Sequence, residues 1–110
     1  MEKTILGKKI MSALSAAEAV SDVLGPGTMS RIRELGVYVV ASAGVASGVV
    51  LVEGAHSESY TGTWATLATI TLTGASRVHY AAVTGVHLAV RLRISTVVAG
   101  GTVDGHIVSN

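Results

Sequence analysis

The stretch from Gly48 to Thr73, GVVLVEGAHSESYTGTWATLATITLT, constrains this chain more than any other. Val49-Val50-Leu51-Val52 is a run dominated by β-branched side chains, whose stiff χ1 angles suit a pleated surface, and it ends at Glu53-Gly54. After a polar loop, Trp64, Thr66, Ala68, Ile70 and Leu72 recur at every second position. The pattern predicts strand, loop, strand. The loop from Ala55 to Thr63 is too long and too polar for a tight hairpin. Simple alternation puts Trp64 on the face of Ile70 and Leu72, where the indole would act as a core anchor at one end of a sandwich. Tyr60, inside the loop, is left free to meet a partner.

The same period recurs along the chain. In Val86 to Ser95, Val86, Leu88, Val90, Leu92 and Ile94 point one way, and His87, Ala89, Arg91, Arg93 and Ser95 the other. Arg91 and Arg93 therefore lie on a polar face, to be paired with Glu34, Glu53 or Asp104 across the sheet or with acids of a partner. Further strands are expected around Val37-Tyr38-Val39-Val40, Arg77 to Val83 and Thr102 to Val108, with turns at Ser42 to Gly48, Gly74-Ala75-Ser76 and Val97 to Gly101. Ile10 to Val23 is ambiguous: Met11, Leu14 and Ala17 fit helical spacing, while Gly25-Pro26-Gly27 after it could join two strands, so an irregular or β segment is expected with one short helix as the alternative. The fold class read from these patterns is all-β, a single β-sandwich over residues 13–110 with an extended N-terminal arm over residues 1–12.

At 110 residues the chain has room for one core. Hydrophobic residues make up 49% and charged residues 14%, which leaves a surface poor in charge and points to a homo-oligomer or a larger assembly. The net charge of +1, with Lys and Arg scattered, excludes a field able to steer nucleic acid. The absence of cysteine rules out disulfides and thiol chemistry. Met1 to Ala19 matches a signal peptide only weakly, because its apolar stretch is short and broken by serines. Leu35 to Val52 lacks charge, but Gly36, Gly44 and Gly48 favour two strands around a turn over a membrane span.

No motif for catalysis emerges. His56, His79, His87 and His106 lack any close pair at metal-ligand spacing, so no metal and no cofactor are expected. Gly44-Val45-Ala46-Ser47-Gly48 has its serine one place too late for a nucleophile elbow. Glu53, Glu58 and Asp104 are not held at any separation that would make a carboxylate pair. The expectation is a protein that is not an enzyme.

A strand ending in Glu53-Gly54, a Ser/Thr/Gly loop, Trp64 followed by Leu67-Ala68-Thr69-Ile70-Thr71, a strand carrying Arg91 and Arg93, and a closing Gly100-Gly101-Thr102-Val103 together resemble the small jelly-roll-like proteins of tailed-phage virions. The resemblance spans about two thirds of the chain and its motifs are architectural. It implies a head decoration or cement protein on the capsid exterior, assembled in the host cytoplasm, with the major capsid protein as partner. The contacts would come from Ile5, Leu6, Lys8 and Lys9 of the arm together with Tyr60, Arg91 and Arg93. Met1 to Ser12 is expected to dock on a neighbour, because its apolar residues are few and Lys8-Lys9 interrupt them. The alternative is a tail- or fibre-associated glycan-binding module that uses Tyr60 and Trp64 as a stacking platform.

Overall fold

The computed structural model describes residues 6–23, 34–57, 59–73, 76–84 and 89–109. They form seven antiparallel strands: β1 (Leu6–Leu14), β2 (Glu34–Ala41), β3 (Ser47–Ala55), β4 (Ala65–Thr71), β5 (Val78–Thr84), β6 (Ala89–Ala99) and β7 (Val103–Ser109). No helix occurs among the described residues. The strands make two sheets, one in the order β1-β7-β2-β5 and one in the order β4-β3-β6.

The order encodes the topology. A further segment lies along β6: Glu18 N–H donates to Ile94 O (2.7 Å), Ile94 N–H to Ala19 O (2.9 Å) and Ser21 N–H to Leu92 O (2.9 Å), around an antiparallel bridge between Val20 and Arg93. Counting that segment as an irregular strand, the chain pairs first with last, second with second-last, and so on inward: β1 with β7, residues 18–21 with β6, β2 with β5, β3 with β4. One long hairpin folded over into two packed sheets is the jelly roll. The β-sandwich expected from the alternation is the observed architecture.

The core lies between the sheets. Val37 and Val39 of β2, Val50 and Val52 of β3, Leu92 and Ile94 of β6 and Ile107 of β7 are wholly buried. These medium-sized, mostly β-branched side chains fill the thin gap that two flat sheets leave. Gly105 on β7 is part of that fit, since a Cβ there would overlap a methyl of Leu92 and come within 3.0 Å of Met11 Cβ. Gly44 and Gly100, at φ +95° and +88°, face each other across two turns where any side chain would meet backbone.

Two expectations are corrected here. From Leu6 onward the supposed arm is an integral strand: Leu6 pairs with Ser109, Lys8 with Ile107, Lys9 with His106 and Met11 with Gly105. A register shift between Lys9 and Met11 lets the adjacent Ile10 and Met11 both turn into the core, 3% and 1% exposed, while Lys9 stays outside. The apolar residues that looked too few are enough once β7 supplies the hydrogen bonds. Ile5 lies outside the described residues. Second, the chain does not turn at Val97: β6 continues to Ala99, with Val98 buried and Val97 exposed, and the turn falls at Gly100-Gly101.

Candidate functional site

The outer face of the three-stranded sheet carries a closed polar cluster. Glu53 of β3 stands opposite Arg91 of β6, and one row further along β6 lies Arg93. Arg91 Nε donates to Glu53 Oε1 at 3.0 Å, and Arg93 Nε to Glu53 Oε2 at 2.9 Å. Arg93 Nη1 also reaches both oxygens of Glu18, at 3.0 and 2.9 Å, tying the irregular segment to β6. Glu53 is only 2% exposed, because the two guanidinium groups cover it. The hydrogen bond to Glu53, reinforced by the charges of Glu53 and Glu18, holds Arg93 more firmly protonated than an ordinary arginine. Of the partners read from the sequence, Glu53 is the one that both arginines take.

Trp64 belongs to this cluster and not to the core between the sheets. Along β3 and β4 the register runs Val52 opposite Ala68 and then Glu53 opposite Thr66, so Leu67 is an extra residue in β4. That bulge reverses the facing of everything before it. Ala68, Ile70 and Leu72 pack inward, whereas Trp64 emerges on the side of Glu53 and is buried there, with the Arg91 guanidinium 4.3 Å from its ring centre and its Nε1–H donated to Tyr60 O at 3.0 Å. Tyr60 in turn stacks at a tilt on His56, with centroids 4.9 Å apart. The indole thus folds the loop down onto the sheet, and it is not open to a sugar. Trp64→Ala should cost roughly 3 kcal/mol, the low end for a large aromatic, while Trp64→Phe should cost about 1 kcal/mol for the lost hydrogen bond. Urea unfolding followed by circular dichroism measures both.

The opposite outer face is different in kind. One cross-strand row spans the four-stranded sheet as Lys9, His106, Tyr38 and Tyr80. The next row holds Asp104, Val40 and Val78, and the row on the other side Val108, Gly36 and Ala82. Tyr38 and Tyr80 touch at 4.9 Å between ring centres. With Val78 61% exposed and Tyr80 57% exposed, this is an apolar surface facing solvent. Gly36, Ala82 and Val108 leave a shallow groove of about 400 Å³ beside the rings. The sequence pattern marks a strand at Val37-Tyr38-Val39-Val40 but does not show this face. Tyr38 and Val40 alternate with the buried Val37 and Val39.

At the β1 end of that face Asp104 accepts from Ala13 N–H at 2.7 Å and pairs with Lys9 at 3.4 Å. The backbone hydrogen bond outweighs the opposing effect of burial and, with a smaller contribution from the charge of Lys9, holds the Asp104 carboxyl below the usual aspartate range. A carboxyl lowered on folding stabilises the fold above its unfolded value, near 3.9, and that contribution disappears as pH falls through the lower folded value. Asp104→Asn should therefore lower the melting temperature at pH 7 and converge with the parent chain once the pH falls below the folded value.

The residues singled out from the sequence do not converge. Arg91, Arg93 and Trp64 share the outer face of the small sheet with the neighbouring Tyr60 loop, Lys9 lies on the face of the other sheet, and Leu6 and Lys8 are backbone positions of β1. Among the described residues no three His, Asp or Glu side chains gather at metal-binding distance. His79 accepts from Thr73 N–H at 3.1 Å through Nε2, which leaves its proton on Nδ1, a buried atom without a hydrogen-bond partner.

The fold and faces define a single-domain jelly-roll sandwich whose polar outer cluster is internally satisfied and whose apolar outer face is not. No protein family and no curated protein matches the sequence. Among solved structures, the chain is similar to the SPBc2 prophage-derived protein YomS, at 16% identity with a TM-score of 0.64, over 96% of this chain and 94% of that one. A subunit from Bacillus endospore appendages, described as a family of disulfide-linked pili, aligns at 16% identity with a TM-score of 0.50, over 98% and 88% of the two chains. At this identity the likeness is one of fold. The chain shares its fold with a prophage-derived protein, and having no cysteine it has no means of disulfide linkage.

Proposed function

We propose that this chain is a non-enzymatic structural protein of a phage virion, of the decoration or cement type, bound to the outside of the capsid. The observation that carries the reading is the apolar face of the four-stranded sheet, where Val78, Tyr80 and Tyr38 stand exposed on a chain with 14% charged residues. A surface of this kind loses free energy by meeting another protein, at about 25 cal/mol per Å² of apolar area removed from water. The prophage-derived structural likeness supports the setting. Many copies on a shell, each making a modest contact, hold by the sum of those contacts. The glycan-binding alternative loses its platform, because Trp64 is buried beneath Arg91.

The test is co-sedimentation of the purified chain with shells that lack it. Saturable binding by the parent, lost when Tyr38 and Val78 are both changed to lysine, is the expected result. No binding by the parent chain, with a change in Trp64 fluorescence on saccharide titration instead, would overturn the reading in favour of the glycan binder.

A further inference from the structure

Sheet edges are the other part of a sandwich that must be accounted for, since an open edge offers unpaired N–H and C=O groups to any passing strand. Among the described residues, most edges here are blunted. β1 carries Lys8 and Lys9, two register shifts and a left-handed Ala13 at φ 51°. β4 is broken by the bulge at Leu67. The outer side of β6 is met by residues 18–21, themselves irregular, with Glu18 at φ 70°. β5 is the exception. It pairs with β2 without a shift from Val78 to Thr84, and its sequence, VHYAAVT, contains no Lys, Arg, Asp, Glu, Pro or Gly.

The hydrogen-bond phase of β5 follows from one contact. Ala41 N–H donates to Arg77 O at 2.8 Å, and Ala41 and Arg77 continue the β2–β5 register by one step beyond Val40 and Val78. In an antiparallel pair, hydrogen-bonded and non-bonded positions alternate, so His79 and Ala81 direct their backbone groups to β2. Val78, Tyr80 and Ala82 direct theirs to the edge. These are the same residues whose side chains stand on the apolar outer face, with Val78 and Tyr80 more than half exposed.

We propose that the β5 edge is completed by β5 of a second copy of this chain, antiparallel about a two-fold axis through Tyr80. Val78 of each copy then faces Ala82 of the other, and Tyr80 faces Tyr80, every pair exchanging both backbone bonds. An edge without charge meets its own copy without repulsion, and the side chains are complementary: the larger Val78 lies beside the small Ala82 at the rim of the Gly36 groove. The central row becomes Tyr38, Tyr80, Tyr80, Tyr38, an aromatic ladder of the kind that stabilises cross-strand pairs. Because the other edges are interrupted, the uninterrupted one pairs with itself, which closes a dimer and not a filament. The pairing uses the edge and leaves the sheet face open, so it stands independently of what that face binds.

Sedimentation velocity at tens of micromolar and a single introduced thiol test it together. The parent chain should sediment as a dimer. Tyr80→Cys, in a chain with no other cysteine, should give a covalent dimer on mild oxidation, because directly opposed bonded residues lie about 5.5 Å apart at Cα, within disulfide reach. Tyr80→Lys places two ammonium groups on the axis and should give a monomer with an unchanged circular dichroism spectrum. Thr69→Lys, on the exposed side of β4, should leave the dimer intact. Should Tyr80→Lys fail to fold, Ala82→Lys serves at the same edge with the same expectation. A monomeric parent chain, or a parent dimer that neither lysine dissociates and the thiol does not trap, overturns the proposal.

Discussion

A chain lacking residues 2–12 is expected to show no cooperative unfolding transition at room temperature. The deletion removes most of β1, and with it Ile10 and Met11, two side chains at most 3% exposed in the core. Truncating one such side chain to alanine costs about 2–5 kcal/mol, and a small domain has only about 5–15 kcal/mol in hand. β7 would also lose its pairing partners from Gly105 to Ser109 and become a new, exposed edge along its apolar core residues. Circular dichroism melting measures the outcome. A truncated chain that melts like the parent would restore the view of this segment as a detachable arm.

Glu53→Ala should be the most damaging single substitution outside the core. It leaves the Arg91 and Arg93 guanidinium groups beside one another with no carboxylate between them, on a site where Glu53 itself was 2% exposed. Losing one member of a buried ionic cluster costs about 3–5 kcal/mol, mainly because the remaining charges stay desolvated and unpaired. The loss should also reach Trp64, whose cover is the Arg91 side chain, and Glu18, which would then hold Arg93 alone. Replacing Glu53, Arg91 and Arg93 together by leucine or methionine should recover much of the stability, since apolar packing carries no such penalty. Urea midpoints for the single and triple variants decide the point. Equal destabilisation by both would mean that the cluster matters for its shape and not for its charge.

How far the sequence spoke for the structure depended on whether the information was local. Alternation from Val90 to Ile94 placed Leu92 in the core and both arginines outside, because β6 is regular there and period two needs no distant information. The same rule misplaced Trp64, since the extra residue of the bulge is Leu67, an apolar side chain next to the apolar Ala68, and it leaves no mark on the hydrophobic pattern. β1 was misread for another reason. Its hydrogen-bonding partner is the last strand of the chain, and a segment with few apolar residues gives no local sign that such a strand exists. The Tyr38–Tyr80 face was illegible because β2 and β5 are apolar on both sides; with Val78, Tyr80 and Ala82 alternating against His79, Ala81 and Val83, periodicity alone does not say which set faces water.

The central proposal is that this sandwich is a virion component held on a shell through the apolar part of its outer face, around Tyr38, Val78 and Tyr80. Electron microscopy of purified virus particles, reconstructed with and without the chain, tests that claim most directly. The account predicts density of the size of this sandwich on the outside of the capsid, with the four-stranded sheet and Tyr38 turned toward the shell. Particles whose capsids are identical with and without the chain, or density confined to the tail or its fibres, would contradict it.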